Sequence, residues 1–227
     1  MNYYLRLLVI LTFPFTVLSQ DLYQDTSIVF EKIDARSNLS EISNHYDDGY
    51  LYVYRNKPFY KIRSKYYDIY KIEMNKAEAR SKFMLLKNVL NTPFNEGPIF
   101  FDKPRNLVYV TRNKYTRRQL RKLNLGLNPL EVDVYRQTSL GFEYIEKFKL
   151  NDDVYSVGHV TVSEKTNRLY FSSNQEGTVG DQDLFYTTMN EDGSFKEPIN
   201  LGKAINTKKD EAFPKVYNGI LYFVVII

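Results

Sequence analysis

Short apolar runs bounded by turn residues recur along the chain. Four share one pattern, a turn residue followed by apolar–Tyr–apolar. They are Gly49-Tyr50-Leu51-Tyr52-Val53, Asn106-Leu107-Val108-Tyr109-Val110, Asn167-Arg168-Leu169-Tyr170-Phe171 and Gly219-Ile220-Leu221-Tyr222-Phe223. The tyrosines fall at 52, 109, 170 and 222, so the pattern returns every 50–60 residues or roughly so. A second run follows in three units, as Tyr67-Asp68-Ile69-Tyr70, Val132-Asp133-Val134-Tyr135 and Gln182-Asp183-Leu184-Phe185. Glycine opens a further element at Gly141-Phe142-Glu143 and Gly193-Ser194-Phe195. Upstream of the tyrosine strand lie Glu96-Gly97-Pro98-Ile99-Phe100, Val157-Gly158-His159-Val160 or Ala212-Phe213-Pro214-Lys215-Val216.

Each unit therefore reads strand, turn, strand, longer loop, strand, turn, strand. Four strands per unit at such a period predict an all-β fold, a partial β-propeller of about four-stranded blades with helical or loop insertions. Residues 33–227 make up the repeats, the last blade being cut short at Val224-Val225-Ile226-Ile227. That apolar end predicts an unpaired edge and a truncated reading of a longer protein. A β-sandwich would also show short strands and turns, but it does not explain the same tetrapeptides in the same order. The uncharged tyrosine strand should be central and buried. The Asp before each second run should cap a turn through backbone amides. Lys76–Val89 suggests a short helical insertion, and the basic stretch Arg112–Lys122 an exposed one.

The N-terminus changes the boundaries. Met1–Arg6 carries one cation, and Leu7–Leu18 is apolar but for Thr and a single Pro14. Small or β-branched residues precede a cut after Ser19, so 1–19 reads as a signal peptide and 20–32 as a lead-in. An apolar run of about 12 residues is too short to span a bilayer, so no transmembrane span is expected in the mature chain. The 227 residues carry a net charge of +4, and Arg6 is the only charge lost with the leader. So small a surplus does not by itself imply a polyanion partner, and no nucleic acid is expected for a secreted chain. With Cys 0, disulfides, thiolate nucleophiles and Cys-ligated zinc are excluded.

The candidate chemistry is sparse. Asp152, Asp153, Asp181, Asp183, Glu191 and Asp192 sit in turns and are the carboxylates a glycoside hydrolase would draw on. Glu191-Asp192-Gly193-Ser194-Phe195 only superficially matches the turn of sialidase-type propellers, and Trp 0 removes the commonest sugar platform. The Glu176–Asp183 loop offers Asp181 and Asp183 to calcium, or is a turn whose glycines supply positive φ. Arg112–Lys122 holds six cations, facing solvent or an anionic lipid or acidic partner. His45 and His159 read as structural or exposed. Ser163 and Ser172 have no His and Asp near in sequence to form a triad. Asn38-Leu39-Ser40 fits a glycosylation sequon. No catalytic, cofactor-binding or metal residue is assigned, and no cofactor is expected.

The third unit carries a resemblance. His159-Val160-Thr161-Val162-Ser163, Asn167–Asn174 and Gly180-Asp181-Gln182-Asp183-Leu184-Phe185, with the linker Phe195–Thr207 and the lead Asp210-Glu211-Ala212-Phe213-Pro214, resemble the WD-repeat-like periplasmic β-propeller family. The form is similar to that found N-terminal to the OmpA-like domain of Bacteroidetes OmpA-family envelope proteins. The resemblance implies a non-catalytic scaffold of the bacterial cell envelope, periplasmic or outer-membrane associated. It would bind envelope proteins or glycans, with outer-membrane or secretion components among its partners. The alternative is a propeller-fold glycan-processing hydrolase.

Overall fold

The computed structural model describes residues 41–56, 67–73, 84–86, 89–124 and 126–226. The expected leader, lead-in and sequon lie outside the described residues. Within them the protein is all-β. Strands β1 (Glu41–Asp47), β2 (Tyr50–Asn56), β3 (Tyr67–Glu73) and β4 (Met84–Leu85) form one antiparallel sheet in that order. A second contains β5 (Glu96–Asp102), β6 (Leu107–Asn113), β7 (Leu130–Thr138) and β8 (Gly141–Lys147). A third contains β9 (Val157–Ser163), β10 (Arg168–Ser173), β11 (Asp183–Thr188) and β12 (Ile199–Asn200). The fourth pairs β13 (Asp210–Tyr217) with β14 (Ile220–Ile226). Each sheet uses strands consecutive in sequence, which a two-layer sandwich with crossing connections would not. No helix among the described residues is long and apolar enough to cross a membrane.

The turns follow from residue chemistry. Asp48-Gly49 and Asn218-Gly219 both take positive φ, the paired geometry that two-residue hairpins require. In the second and third sheets a single 3₁₀ turn ends on Asn106 (φ 53°) or Asn167 (φ 52°), an amide residue that tolerates the left-handed region. The residue before every apolar–Tyr–apolar run therefore reverses the chain. Each tyrosine is then the third residue of its sheet's second strand.

Alternate residues of these strands face opposite neighbours. Val108 and Val110 of β6 join Tyr52, Ile69 and Phe101 in one core. Tyr109 turns the other way, onto Val132, Val160, Leu169 and Phe171. Both faces are buried, so the strand carries no charge where it is central. The first strands also adjoin one another: β5 lies against β1 and β9, and β9 against β13.

Three details differ from expectation. First, the repeat register in the second sheet is shifted by two. Tyr54, Thr111 and Ser172, each two residues past the repeat tyrosine, pair with Ile69, Val132 and Leu184. The counterparts of Asp68 and Asp183 are thus Glu131, not Asp133. Strand side chains alternate with period two, so a slip of two residues preserves the apolar pattern and is invisible in it. Asp133 caps no turn and instead faces Arg112. Second, within Lys76–Val89 the described residues form β4 and the start of a turn rather than a helix; 76–83 and 87–88 lie outside the described residues. Third, Gly141 does open β8, but Gly193-Ser194-Phe195 forms a turn with one bridge to Met189, and the edge strand falls at Ile199–Asn200.

The shared alignment exposes a repeated clamp. Asn91 Oδ1 accepts from the Ile69 amide at 2.7 Å, and its Nδ2 donates to the Ile69 carbonyl at 3.1 Å. Asn151 does the same to Val132 at 2.9 and 2.7 Å, and Asn206 to Leu184 at 2.9 and 3.0 Å. Each asparagine lies in the linker after its own sheet and completes the edge of the third strand, where the short fourth strand or its bulge leaves backbone groups to be satisfied.

The Glu176–Asp183 loop is held as a turn. The Asp183 carboxylate accepts from the amides of Val179 (2.8 Å) and Gly180 (3.1 Å) and from Asn200 Nδ2 (2.7 Å). Gly177 supplies positive φ (91°) as expected. Gly180 serves a different purpose, since a Cβ there would sit 2.1 Å from the Lys209 carbonyl oxygen. Gly180→Ala is expected to cost roughly 2 kcal/mol, because the clash is with backbone and one of two packed loops must move. Urea unfolding of the variant checks this; an unchanged midpoint would show that the loops part freely.

Candidate functional site

The first strands share an irregularity. In β5, β9 and β13 two residues oppose one on the neighbouring strand: Gly97-Pro98, His159-Val160 and Phe213-Pro214. The β1 register also shifts, between Ser43 and His45. Bulges bend a strand and re-aim its side chains. Those of β5, β9 and β13 border a cavity of about 170 Å³ whose walls include Tyr54, Glu96, Thr111, Arg112, His159 and Phe213.

The walls are strained and stiff. His159 (φ 58°) and Phe213 (φ 55°) both occupy the left-handed region, which costs a bulky residue of order 1–3 kcal/mol. Their rings stack 4.2 Å apart, 20° from parallel. The His159 amide donates to Thr111 Oγ1 at 2.9 Å, tying β9 to β6. Burial drives the imidazole down to about 4, so it is neutral at pH 7.

Glu96 is the acid of this cavity. It is 2% exposed. Its Oε1 accepts from the Thr92 amide (3.0 Å) and from the Thr92 hydroxyl. Its Oε2 has no partner among the described residues. Burial raises the carboxyl from 4.5 to about 7; Thr92 and Arg112 act against that rise, and the charge of Asp68 adds to it. Arg112 pairs with Asp133 (Nε–Oδ2 3.2 Å) and donates to Tyr135 Oη at 2.8 Å. The Tyr54 hydroxyl is likewise buried without a partner among the described residues. Burial holds this phenol well above its ordinary range, so it stays protonated. The expected exposed insertion at Arg112–Lys122 therefore begins with a buried cation and becomes exposed only later.

The carboxylates singled out in the sequence are elsewhere. Asp152 accepts from the Val154 amide at 2.6 Å, Asp153 pairs with Lys114, and Asp192 accepts from Ser194 N and Oγ. Asp181 and Glu191 are exposed, and Asp183 is locked in its turn. None of the six lines the cavity. No group of three His, Asp or Glu suited to a metal ion occurs among the described residues.

Two pairings went unseen in the sequence. Ser172 Oγ lies 2.8 Å from His159 Nδ1 and accepts from Gln182 Nε2 at 3.0 Å. Ser172 is fully buried, and burial is the sole cause shifting His159, so no carboxylate completes a triad among the described residues. At the other end of the first strands, His45 Nδ1 meets Lys215 Nζ at 3.0 Å against the Phe100 and Phe101 rings. Burial lowers Lys215 to about 8, with Asp47 opposing, and holds His45 well below 6.5, so at pH 7 the ammonium donates to a neutral ring. Both histidines are buried, not exposed. A repeated motif was also present to be found: Thr207 N and Oγ1 bond Glu211 (3.1 and 2.7 Å) as Thr92 bonds Glu96, each threonine following a clamp asparagine.

No family model and no curated protein matches the sequence. Among solved structures, the chain is similar to the catalytic domain of Coprinopsis cinerea GH62 alpha-L-arabinofuranosidase at 15% identity and a TM-score of 0.40, over 78% of this chain and 55% of that one. The chain thus spans about half of that structure, and its all-β architecture of four antiparallel sheets is read from its own strands.

Proposed function

We propose that the four sheets are blades of a β-propeller and that the cavity between their bulged first strands binds a glycan, the protein serving as a non-catalytic binding module. The sheet order supports the fold reading: three consecutive four-stranded meanders, the first two burying apolar side chains on both faces of their second strand. The observation that carries the ligand reading is the pair of buried, unpartnered oxygens, Tyr54 Oη and Glu96 Oε2, on residues of one cavity wall. Buried polar atoms are nearly always paired, so such a pair asks for a ligand with hydroxyl groups. Around neutral pH the Glu96 carboxyl, poised near 7, both donates and accepts. Asn95 and Asn113 add amides, and Phe213 an apolar ring face for a sugar's C–H groups. The bacterial envelope setting, with outer-membrane or secretion components as partners, rests on the resemblance of the third unit.

A second reading is a propeller-fold glycan hydrolase. Glu96 favours it, because a carboxyl near pH 7 suits a general acid. Against it, hydrolysis uses two carboxylates, and Glu96 is the only one lining the cavity among the described residues. Calorimetric titration with a panel of mono- and oligosaccharides, together with aryl-glycoside turnover, separates the readings. The expected result is saturable binding without turnover, weakened roughly tenfold by Tyr54→Phe through the loss of one buried hydrogen bond. Turnover abolished by Glu96→Gln would establish the hydrolase instead. Absence of both binding and turnover would end the glycan reading.

A further inference from the structure

Between β6 and β7 the chain leaves the sheet and returns at its base. Lys114 N donates to the Pro129 carbonyl at 2.9 Å, and Asn128 bonds Tyr115 twice, Oδ1 from N (3.0 Å) and Nδ2 to O (2.6 Å). The projection so closed contains α1 (Arg117–Leu123). Thr116 and Gln119 form a reciprocal capping box at its start, and Asn124 (φ 52°) ends it. Lys114 Nζ reaches the Asp152 carbonyl (3.0 Å) and the Asp153 carboxylate, tying the projection to the next loop. Its described part is thus anchored at its base and to the neighbouring loop.

Its chemistry is one-sided. From Lys114 to Leu130 the chain has five cations and no acid. Arg118, Arg121 and Lys122 are exposed. Beside them Leu123 is 53% and Leu127 86% exposed, and Val154 on the tied loop is 86% exposed. Cations next to exposed aliphatic side chains match a surface with anionic headgroups over hydrocarbon. Nucleic acid offers the charge but no place for the leucines. Asn113 and Leu130, between which the projection is inserted, both line the 170 Å³ cavity.

We propose that this projection is an anionic-lipid docking element, with Arg118, Arg121 and Lys122 engaging headgroups and Leu123 and Leu127 entering the acyl boundary. Docking there puts the cavity end of the molecule next to the bilayer. The inference stands apart from the glycan reading, since it uses no residue proposed to contact sugar.

The test is co-sedimentation of the purified full chain with phosphatidylcholine vesicles, with and without about 30 mol% phosphatidylglycerol. Binding is expected to the anionic vesicles only, and to weaken in about 0.5 M salt. Combined Arg118→Glu, Arg121→Glu and Lys122→Glu should weaken it about a hundredfold, taking roughly fivefold per lost cation. Leu123→Ser with Leu127→Ser should weaken it about tenfold. All five positions are exposed, and unchanged thermal midpoints confirm that both variants fold. Equal binding to neutral vesicles, or anionic binding untouched by the charge reversals, overturns the proposal. So does a leucine pair without effect, which would mark the patch as a site for an acidic polymer.

Discussion

Asn206→Ala is expected to destabilise the protein by about 2 kcal/mol, more than any surface substitution in the chain. Asn206 is 1% exposed, and its amide group is fully used. Oδ1 accepts from Leu184 N; Nδ2 donates to Leu184 O and, at 2.8 Å, to Asn200 Oδ1. Alanine leaves the Leu184 amide buried and unpaired, which costs about 1–3 kcal/mol, while the Leu184 carbonyl keeps the Leu201 amide at 3.0 Å. Asn206→Asp is the sharper variant. A carboxylate still accepts from the amide but loses both donations of Nδ2, and it brings a charge into a dry place, so it should be no milder than alanine. Urea unfolding measures both. A loss below about 1 kcal/mol for alanine would show that the clamp is replaceable by water.

The second large effect is in pH. Glu96 has its folded value raised from 4.5 to about 7. Between those values the native state holds a proton that the unfolded state has released, so stability falls as pH rises through the window. The full difference is roughly 3 kcal/mol. His159 works in the opposite sense. Its folded value is lowered from 6.5 to about 4, so its contribution is complete above 6.5 and is lost as pH falls toward 4, again by roughly 3 kcal/mol. His45 is lowered too and adds to the second slope. In the native protein the opposing slopes offset one another between about 4.5 and 6.5. Glu96→Gln removes one of them. The variant should be more stable than the parent at pH 8 by about 1–3 kcal/mol, and its stability should climb steeply from pH 4 to 6.5. Denaturation at pH 4.5, 6 and 8 decides it. A variant no more stable than its parent at pH 8 would mean that Glu96 is ionised without cost.

Sequence pattern carried the strand order well, and for a physical reason. A central strand buried on both faces excludes charge, so Leu51-Tyr52-Val53 and Val108-Tyr109-Val110 stand out wherever they occur. Left-handed turn residues ahead of them, Gly49, Asn106, Asn167 and Gly219, are as legible. The register of Val132 against Val134 was not, because alternation is unchanged by a slip of two. The clamp was legible in principle as Leu90-Asn91-Thr92, Leu150-Asn151-Asp152 and Ile205-Asn206-Thr207, but its meaning depends on which backbone is left unpaired. The cavity was the least legible part. Glu96, Tyr54 and His159 stand far apart in sequence, and the bulges that brought them together are built from unlike residues, Gly97-Pro98, His159-Val160 and Phe213-Pro214. The turn acids that stood out instead, such as Asp192 and Asp152, stood out because they bond their own loops.

The clamps also have a consequence in time. Each asparagine lies 19 to 22 residues beyond the strand residue it holds. At typical elongation rates that stretch takes the ribosome about 1–4 s to add, whereas strand pairing takes microseconds. The nascent sheets therefore wait on translation, each latched only when the polypeptide has grown into the linker that follows it. Assembly proceeds from the N-terminal side in discrete steps, and a nascent chain that has emerged past Thr188 but not yet to Asn206 holds strands that have paired but have not yet been fastened.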